Sequence, residues 1–152
     1  MFRAVYATLI CLILGVTGSS IAPVSSPAKK PAGKKISARS ASPLRITAPK
    51  DGNGVQERTF VAGRVKDPHA HVWVVVHPME VSDYWVQQSV TVGGDGAWEV
   101  QIYLGRPGPD DVGKRFEIHA LANPKATLRQ GDRLGGWPDA QWQSEAVRVT
   151  RE

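Results

Sequence analysis

From residue 44 onward the chain alternates apolar and polar positions in short runs, each closed by Gly, Pro or Asp. Leu44-Arg45-Ile46-Thr47 alternates and is followed by a turn cluster, Pro49-Lys50-Asp51-Gly52-Asn53-Gly54. A second strand is predicted over 59–65 and is stopped by Lys66-Asp67-Pro68. Residues 71–77 are almost continuously apolar, the pattern of a central strand covered on both faces. Pro78 ends it. A broken fourth stretch covers 84–88 and 89–92, and Gly93-Gly94-Asp95-Gly96 then supplies a tight turn. In the clearest strand Trp98, Val100, Ile102 and Leu104 point one way, and Glu99, Gln101 and Tyr103 the other. After a loop over 105–113, Phe116, Ile118 and Ala120 alternate with Arg115, Glu117 and His119, and Val147 and Val149 with Arg148 and Thr150.

About seven short strands, with no amphipathic helix, each have one apolar face to cover. Two packed sheets satisfy that need, so the expectation is an all-β sandwich, with a small closed barrel as the alternative. Trp73 and Trp98, set among valines, are assigned to the core. The gap 122–144 is too long for a hairpin connection. It is expected to hold a helical turn near 124–129 and then a packed loop with two tryptophans.

Ahead of the strands the pattern changes. Arg3 precedes an uncharged, mostly apolar run over 4–16, with small residues at Gly18, Ser19, Ser20 and Ala22. Residues 1–22 therefore read as a secretory signal, too short in its apolar part for the roughly 20 residues of a membrane span. An uncleaved N-terminal anchor is the alternative. The single cysteine, Cys11, follows Ile10, which is not the small residue a lipidation site wants. Without Cys11 the mature chain has neither a disulfide nor a cysteine metal site, which suits a bacterial exported protein. Residues 23–43 are Pro, Ala, Ser and Lys with little to bury, and read as a disordered linker before a domain over 44–152.

The chain carries 19 Lys and Arg against 14 Asp and Glu, a net charge of +5. That invites a polyanion binder until the charge is placed. Lys29, Lys30, Lys34, Lys35 and Arg39 all lie in the linker, with no acid beside them. The segment 44–152 holds 13 bases and 14 acids, so nucleic acid is not an expected partner. The linker itself offers weak contact with anionic lipid or cell-wall polymer.

The run Ile46-x-x-Pro49-x-Asp51-Gly52, then Val61-x-Gly63-x-Val65 and Val72-Trp73-Val74, resembles bacterial immunoglobulin-like (fibronectin/Ig-type) domains of exported proteins. Asp95-Gly96-x-Trp98-x-Val100, Phe116-x-Ile118-x-Ala120 and Val147-x-Val149 extend the resemblance over 44–152. It implies an immunoglobulin-like β-sandwich and says little about ligand. The paired cysteines of antibody domains are missing, so an antibody-like loop set is not implied.

Candidate chemistry is sparse. There is no G-x-S-x-G, H-E-x-x-H or S-x-x-K, and the adjacent Asp110 and Asp111 point apart, so no enzyme activity is expected. His69 and His71 fall about 6.6 Å apart on one face of an extended segment. They lack a partner motif and read as surface residues, so no metal or other cofactor is expected. The oxygen-rich loops around Asp51 and Asp110-Asp111 fit turns better than calcium sites. The remaining tryptophans are the better lead. Trp85, Trp137 and Trp142, with Tyr84, Gln87 and Asp139, are the candidate binding residues, because large aromatics in connections either pin loops, anchor a protein partner or stack on sugar rings. Gln88 and Gln141 are further polar neighbours. The expected role is an exported, non-catalytic interaction module, periplasmic or extracellular, recognising an envelope protein. The alternative is a carbohydrate- or cell-wall-binding module using these tryptophans. N-terminal sequencing of the exported protein is expected to show a mature start near Pro23, and a start at Phe2 would overturn the signal assignment.

Overall fold

The computed structural model describes residues 42–152; the expected signal and all but the last two residues of the expected linker lie outside the described residues. All seven expected strands are present: β1 (Leu44–Ala48), β3 (Arg58–Val65), β4 (Val72–Pro78), β5 (Tyr84–Val90), β6 (Ala97–Tyr103), β7 (Arg115–Pro124) and β10 (Val147–Arg151). Three short ones join them: β2 (Asn53–Val55), β8 (Arg133–Leu134) and β9 (Ala140–Gln143). They form a three-stranded sheet, β1-β3-β6, and a seven-stranded sheet, β2-β10-β7-β4-β5-β8, with β9 on the far half of β7. Every pairing is antiparallel except β2 beside β10. The chain is a β-sandwich.

Strand alternation builds the main core between the sheets. Val61, Val65, Trp98, Val100 and Ile102 from the small sheet meet Val72, Val74, Val76, Phe116, Ile118, Ala120 and Val149 from the large one. Gly63 lies under the indole of Trp98, where an added Cβ would run into the ring, so the tryptophan packs flat only because position 63 is glycine.

The almost unbroken apolar run of β4 has a direct cause. β4 sits between β5 and β7, and its other face carries a second cluster of Val75, Val86, Leu121 and Leu128. Trp73 belongs to this outer cluster, half-buried, and not to the main core to which the alternation assigned it. The cover over the outer face is the segment 122–144, and it is not helical at 124–129. β7 continues to Pro124 with Asn123 in the left-handed region (φ 52°), and the chain then returns as β8 against β5 and β9 against β7. Leu128, Leu134, Trp137 and Ala140 are thereby laid over the outer face. Their irregular spacing fits no helical stripe, so an apolar surface already formed by three strands dictates the path. Among the described residues, the one short helix is a 3-10 turn at Pro109–Asp111.

At the C-terminal end the core is closed by a charge. Arg151 is 3% exposed, and its guanidinium donates to the carbonyls of Leu104 (3.1 Å), Arg106 (2.6 Å) and Gly108, and to Glu57 Oε2 (3.0 Å). Asp111, also buried, accepts the Arg106 backbone N–H at 2.6 Å and the Lys114 ammonium at 2.7 Å. The connection from β6 to β7 is thus wrapped around one side chain of β10. Replacing Arg151 by methionine strands three carbonyls without their donor and leaves Glu57 only the Gly108 N–H, and is expected to lower stability by about 3 kcal/mol in urea titrations. Arg148→Met removes an exposed pair with Glu117 and should lower stability far less than the Arg151 change.

Candidate recognition groove

On one flank of the sandwich β5 of the large sheet faces β6, the edge strand of the small one. No continuous ladder joins them. Two glutamine side chains stand in for it: Gln87 Oε1 accepts the Tyr103 backbone N–H at 3.1 Å, and Gln88 Nε2 donates to the Gln101 carbonyl at 3.1 Å. The edge of β6 is thereby partly capped without a further strand.

Next to these contacts lies a groove of about 480 Å³. Val76 and Phe116 of the core form its floor, and Pro78, Val81, Trp85 and Tyr103 its apolar walls. Trp85 is 40%, Tyr103 47% and Val81 50% exposed, so the aromatic and aliphatic surface is open to solvent. Gln87, Gly105 and the charged Glu80, Asp83, Arg106, Asp111 and Lys114 complete the lining. These charges are mostly satisfied within the protein. Lys114 lies 2.7 Å from Asp111 and 3.7 Å from Glu80, and Asp83 lies 3.7 Å from Arg133. The hydrogen bond from Lys114, followed by the one from the Arg106 amide, holds the Asp111 carboxyl below its usual range. The same Asp111 contact raises the Lys114 ammonium. Both groups are thus locked in their charged forms near neutral pH.

The candidate binding residues are divided by the fold. Trp85 and Gln87 belong to the groove. Tyr84, on the opposite face of β5, stacks on His77 (4.1 Å, 8°) and meets the edge of Trp137 at 4.6 Å. Trp137 in turn stacks on His119 at 4.1 Å. Trp137 is therefore a pin that holds 122–144 to the outer face. Trp142, on β9 opposite Ala122, packs half-buried against the main core. Asp139 is exposed and pairs with Lys125 at 3.5 Å, while Gln141 accepts from Asn123 at 2.8 Å. Trp85 is opposite Val76 and Trp142 lies in the row of Val72, which separates them by about 13 Å along the strands and about 14 Å across them. Trp85, Trp137 and Trp142 do not make one patch.

Tyr103 and Val81 were not singled out by the sequence. Tyr103 reads there as an ordinary outward position, and only the closeness of β5 makes it a groove wall. His69 and His71 are exposed, and among the described residues no three His, Cys, Asp or Glu groups gather as metal ligands. One acid of each oxygen-rich loop is engaged within the protein: Asp51 Oδ1 accepts the Arg148 N–H at 2.8 Å, and Asp111 accepts from the Arg106 N–H and Lys114 as above, while Asp110 is exposed. Comparison of the chain with protein-family profiles, curated proteins and solved structures gives no significant match in any of the three.

The histidine beneath Trp137 carries a measurable consequence. Burial pushes the His119 imidazole below its ordinary 6.5, against a smaller upward pull from Glu117, whose charge Arg148 also engages at 3.0 Å. The unfolded chain therefore takes up this proton first. The contribution of His119 to stability is complete above pH 6.5 and is lost as pH falls below it toward the folded value. Melting temperature is expected to drop between about pH 7 and about pH 5, with a smaller drop in His119→Phe, which retains a ring for Trp137 to stack on.

Proposed function

We propose that this chain is an exported, non-catalytic interaction module of the immunoglobulin-like type, acting at a bacterial cell envelope, and that it recognises a protein partner through the groove between β5 and β6. The observation that carries this reading is the conjunction of open apolar walls with internally paired charges. Trp85, Tyr103 and Val81 offer the kind of aromatic and aliphatic surface that anchors an interface. Lys114 and Asp111, fixed in their charged states, orient a partner's polar groups better than they exchange protons. Specificity then comes from shape and from the aromatic pair, and the mechanism is stoichiometric binding.

A carbohydrate or cell-wall ligand is the second reading, and it rests on the exposed Trp85 and Tyr103 faces alone. Trp137 stacks within the protein and Trp142 packs on the core, so neither supplies a sugar platform beside Trp85. The two readings part in one comparison. Tryptophan fluorescence is expected to stay unchanged on titration with soluble peptidoglycan fragments. A photo-crosslinker at Gln87 should capture one defined envelope protein. Affinity for that protein should fall roughly 30-fold in Trp85→Ala, in line with loss of an aromatic anchor. Saturable fluorescence change with the glycan fragments, abolished by Trp85→Ala, would replace the first reading by the second.

A further inference from the structure

The outward face of the small sheet has no covering layer, and its composition is unlike the rest of the domain. Strand alternation brings Arg58, Phe60, Ala62 and Arg64 of β3 to this face, beside Glu99, Gln101 and Tyr103 of β6 and Arg45 of β1. Phe60 is 57% and Tyr103 47% exposed. Arg58 lies over the Tyr103 ring, 5.3 Å from its centre. Arg45 is directly opposite Arg64 in the β1–β3 ladder, a destabilising like-charge pair in which Arg64 has Asp95 against it and Arg45 forms no ion pair among the described residues. Beside that pair is a shallow depression of about 400 Å³, lined by Ser42, Pro43, Arg45, Arg64, Val65 and Lys66 and by no acid. The Lys66 N–H donates to the Pro43 carbonyl at 2.7 Å, which fixes the start of the domain against this rim.

Few acids answer these cations. Arg64 contacts Asp95 at 3.2 Å, and Glu99 lies across from Ala62. Among the described residues neither Arg45, Arg58 nor Lys66 forms an ion pair. The domain carries one more acid than base, so a cationic face is a polarisation of charge within it. The acid-free sequence 23–41, with five further cations, immediately precedes Ser42 at the rim of this face.

We propose that the outward face of the small sheet is a docking surface for an anionic phospholipid bilayer, with Arg45, Arg58, Arg64 and Lys66 meeting lipid phosphates and Phe60 entering the interface. An open sheet face with guanidinium groups around an exposed aromatic suits an extended anionic surface more than a narrow polymer strand. A bilayer also supplies a hydrocarbon boundary for the exposed aromatic residue to enter. The proposal does not rest on recognition of a protein in the groove, which borders this face at Tyr103 alone.

Co-sedimentation of the full chain with phosphatidylglycerol–phosphatidylcholine vesicles, and with phosphatidylcholine alone, tests the assignment. The chain is expected to prefer the anionic vesicles. Arg45→Gln, Arg58→Gln and Lys66→Gln should each weaken binding about fivefold, and together on the order of a hundredfold. Glu99→Gln should strengthen it, and this exposed substitution reports on the face even if the triple variant folds poorly. Phe60→Ser should weaken binding to anionic vesicles while its melting temperature stays near that of the parent. Equal binding to both vesicle types, or full retention by the triple variant, would overturn the proposal. So would loss with the charge variants but none with Phe60→Ser, which would mean attraction to any polyanion.

Discussion

The architecture turns on one buried cation. Arg151 stands at the end of β10, one strand in from the margin of the large sheet, where a charged group must be surrounded by acceptors or the strand does not close. The acceptors come from far away in sequence: three carbonyls between Leu104 and Gly108, and the carboxylate of Glu57. A loop that offers alternate carbonyls to one guanidinium has little conformational freedom left. The turn at Pro109–Asp111 then places Asp111 where its two oxygens receive the Arg106 amide and the Lys114 ammonium. Gly105, Arg106, Asp111 and Lys114 are also one wall of the groove. The shape of the candidate site is therefore a consequence of satisfying Arg151, and its charged rim is stiff because the same network holds it.

A second constraint is the large sheet's need for cover on both faces. Seen from β4, the residues facing the small sheet and those facing away are almost equally apolar. A two-layer sandwich satisfies only the first set. The segment 122–144 satisfies the second by laying Trp137 across the outer face, between His119 below and Tyr84 with His77 at the side. That arrangement spends three aromatic or heteroaromatic contacts on holding a loop, which explains why a large aromatic in a connection need not be a ligand platform.

Much of this was legible from the chain. Period-two alternation located most of the seven strands within a few residues, because each of those has one wet and one dry face. The dry-both-sides reading of 71–77 anticipated the centrality of β4. Legibility ended where pairing partners are distant. Asn53 and Gly54 of β2 read as part of a turn, because a three-residue strand has no period to display, and only β10 beside it makes it a strand. Trp73 and Trp98 look alike in sequence, yet one faces the layer over the outer surface and the other lies on Gly63 in the main core. The groove was half-visible: Trp85 and Gln87 stood out as an aromatic and an amide in a connection. Tyr103 and the 105–114 wall did not, because their proximity to β5 comes from the closing of the two sheets and from Arg151, neither of which leaves a local pattern. Arg151 itself resembles any terminal arginine until its acceptors are in place.

The flank between β5 and β6 shows how the sandwich handles an edge that its own strands leave unpaired. A further strand there would complete the small sheet but fill the groove. Gln87 and Gln88 make a different compromise, donating to one backbone group of β6 and accepting from another through side chains short enough to leave room beside Trp85. Two amide contacts protect the edge less completely than a ladder would. What they leave is an apolar recess bordered by Tyr103, whose outward-facing ring also supports Arg58 on the uncovered face. The same residue is thus a wall of the groove and a member of the cationic face, so the two surfaces meet at the edge of β6. An occupant of either must accommodate one tyrosine ring, and that shared boundary follows from closing a three-stranded sheet with glutamines.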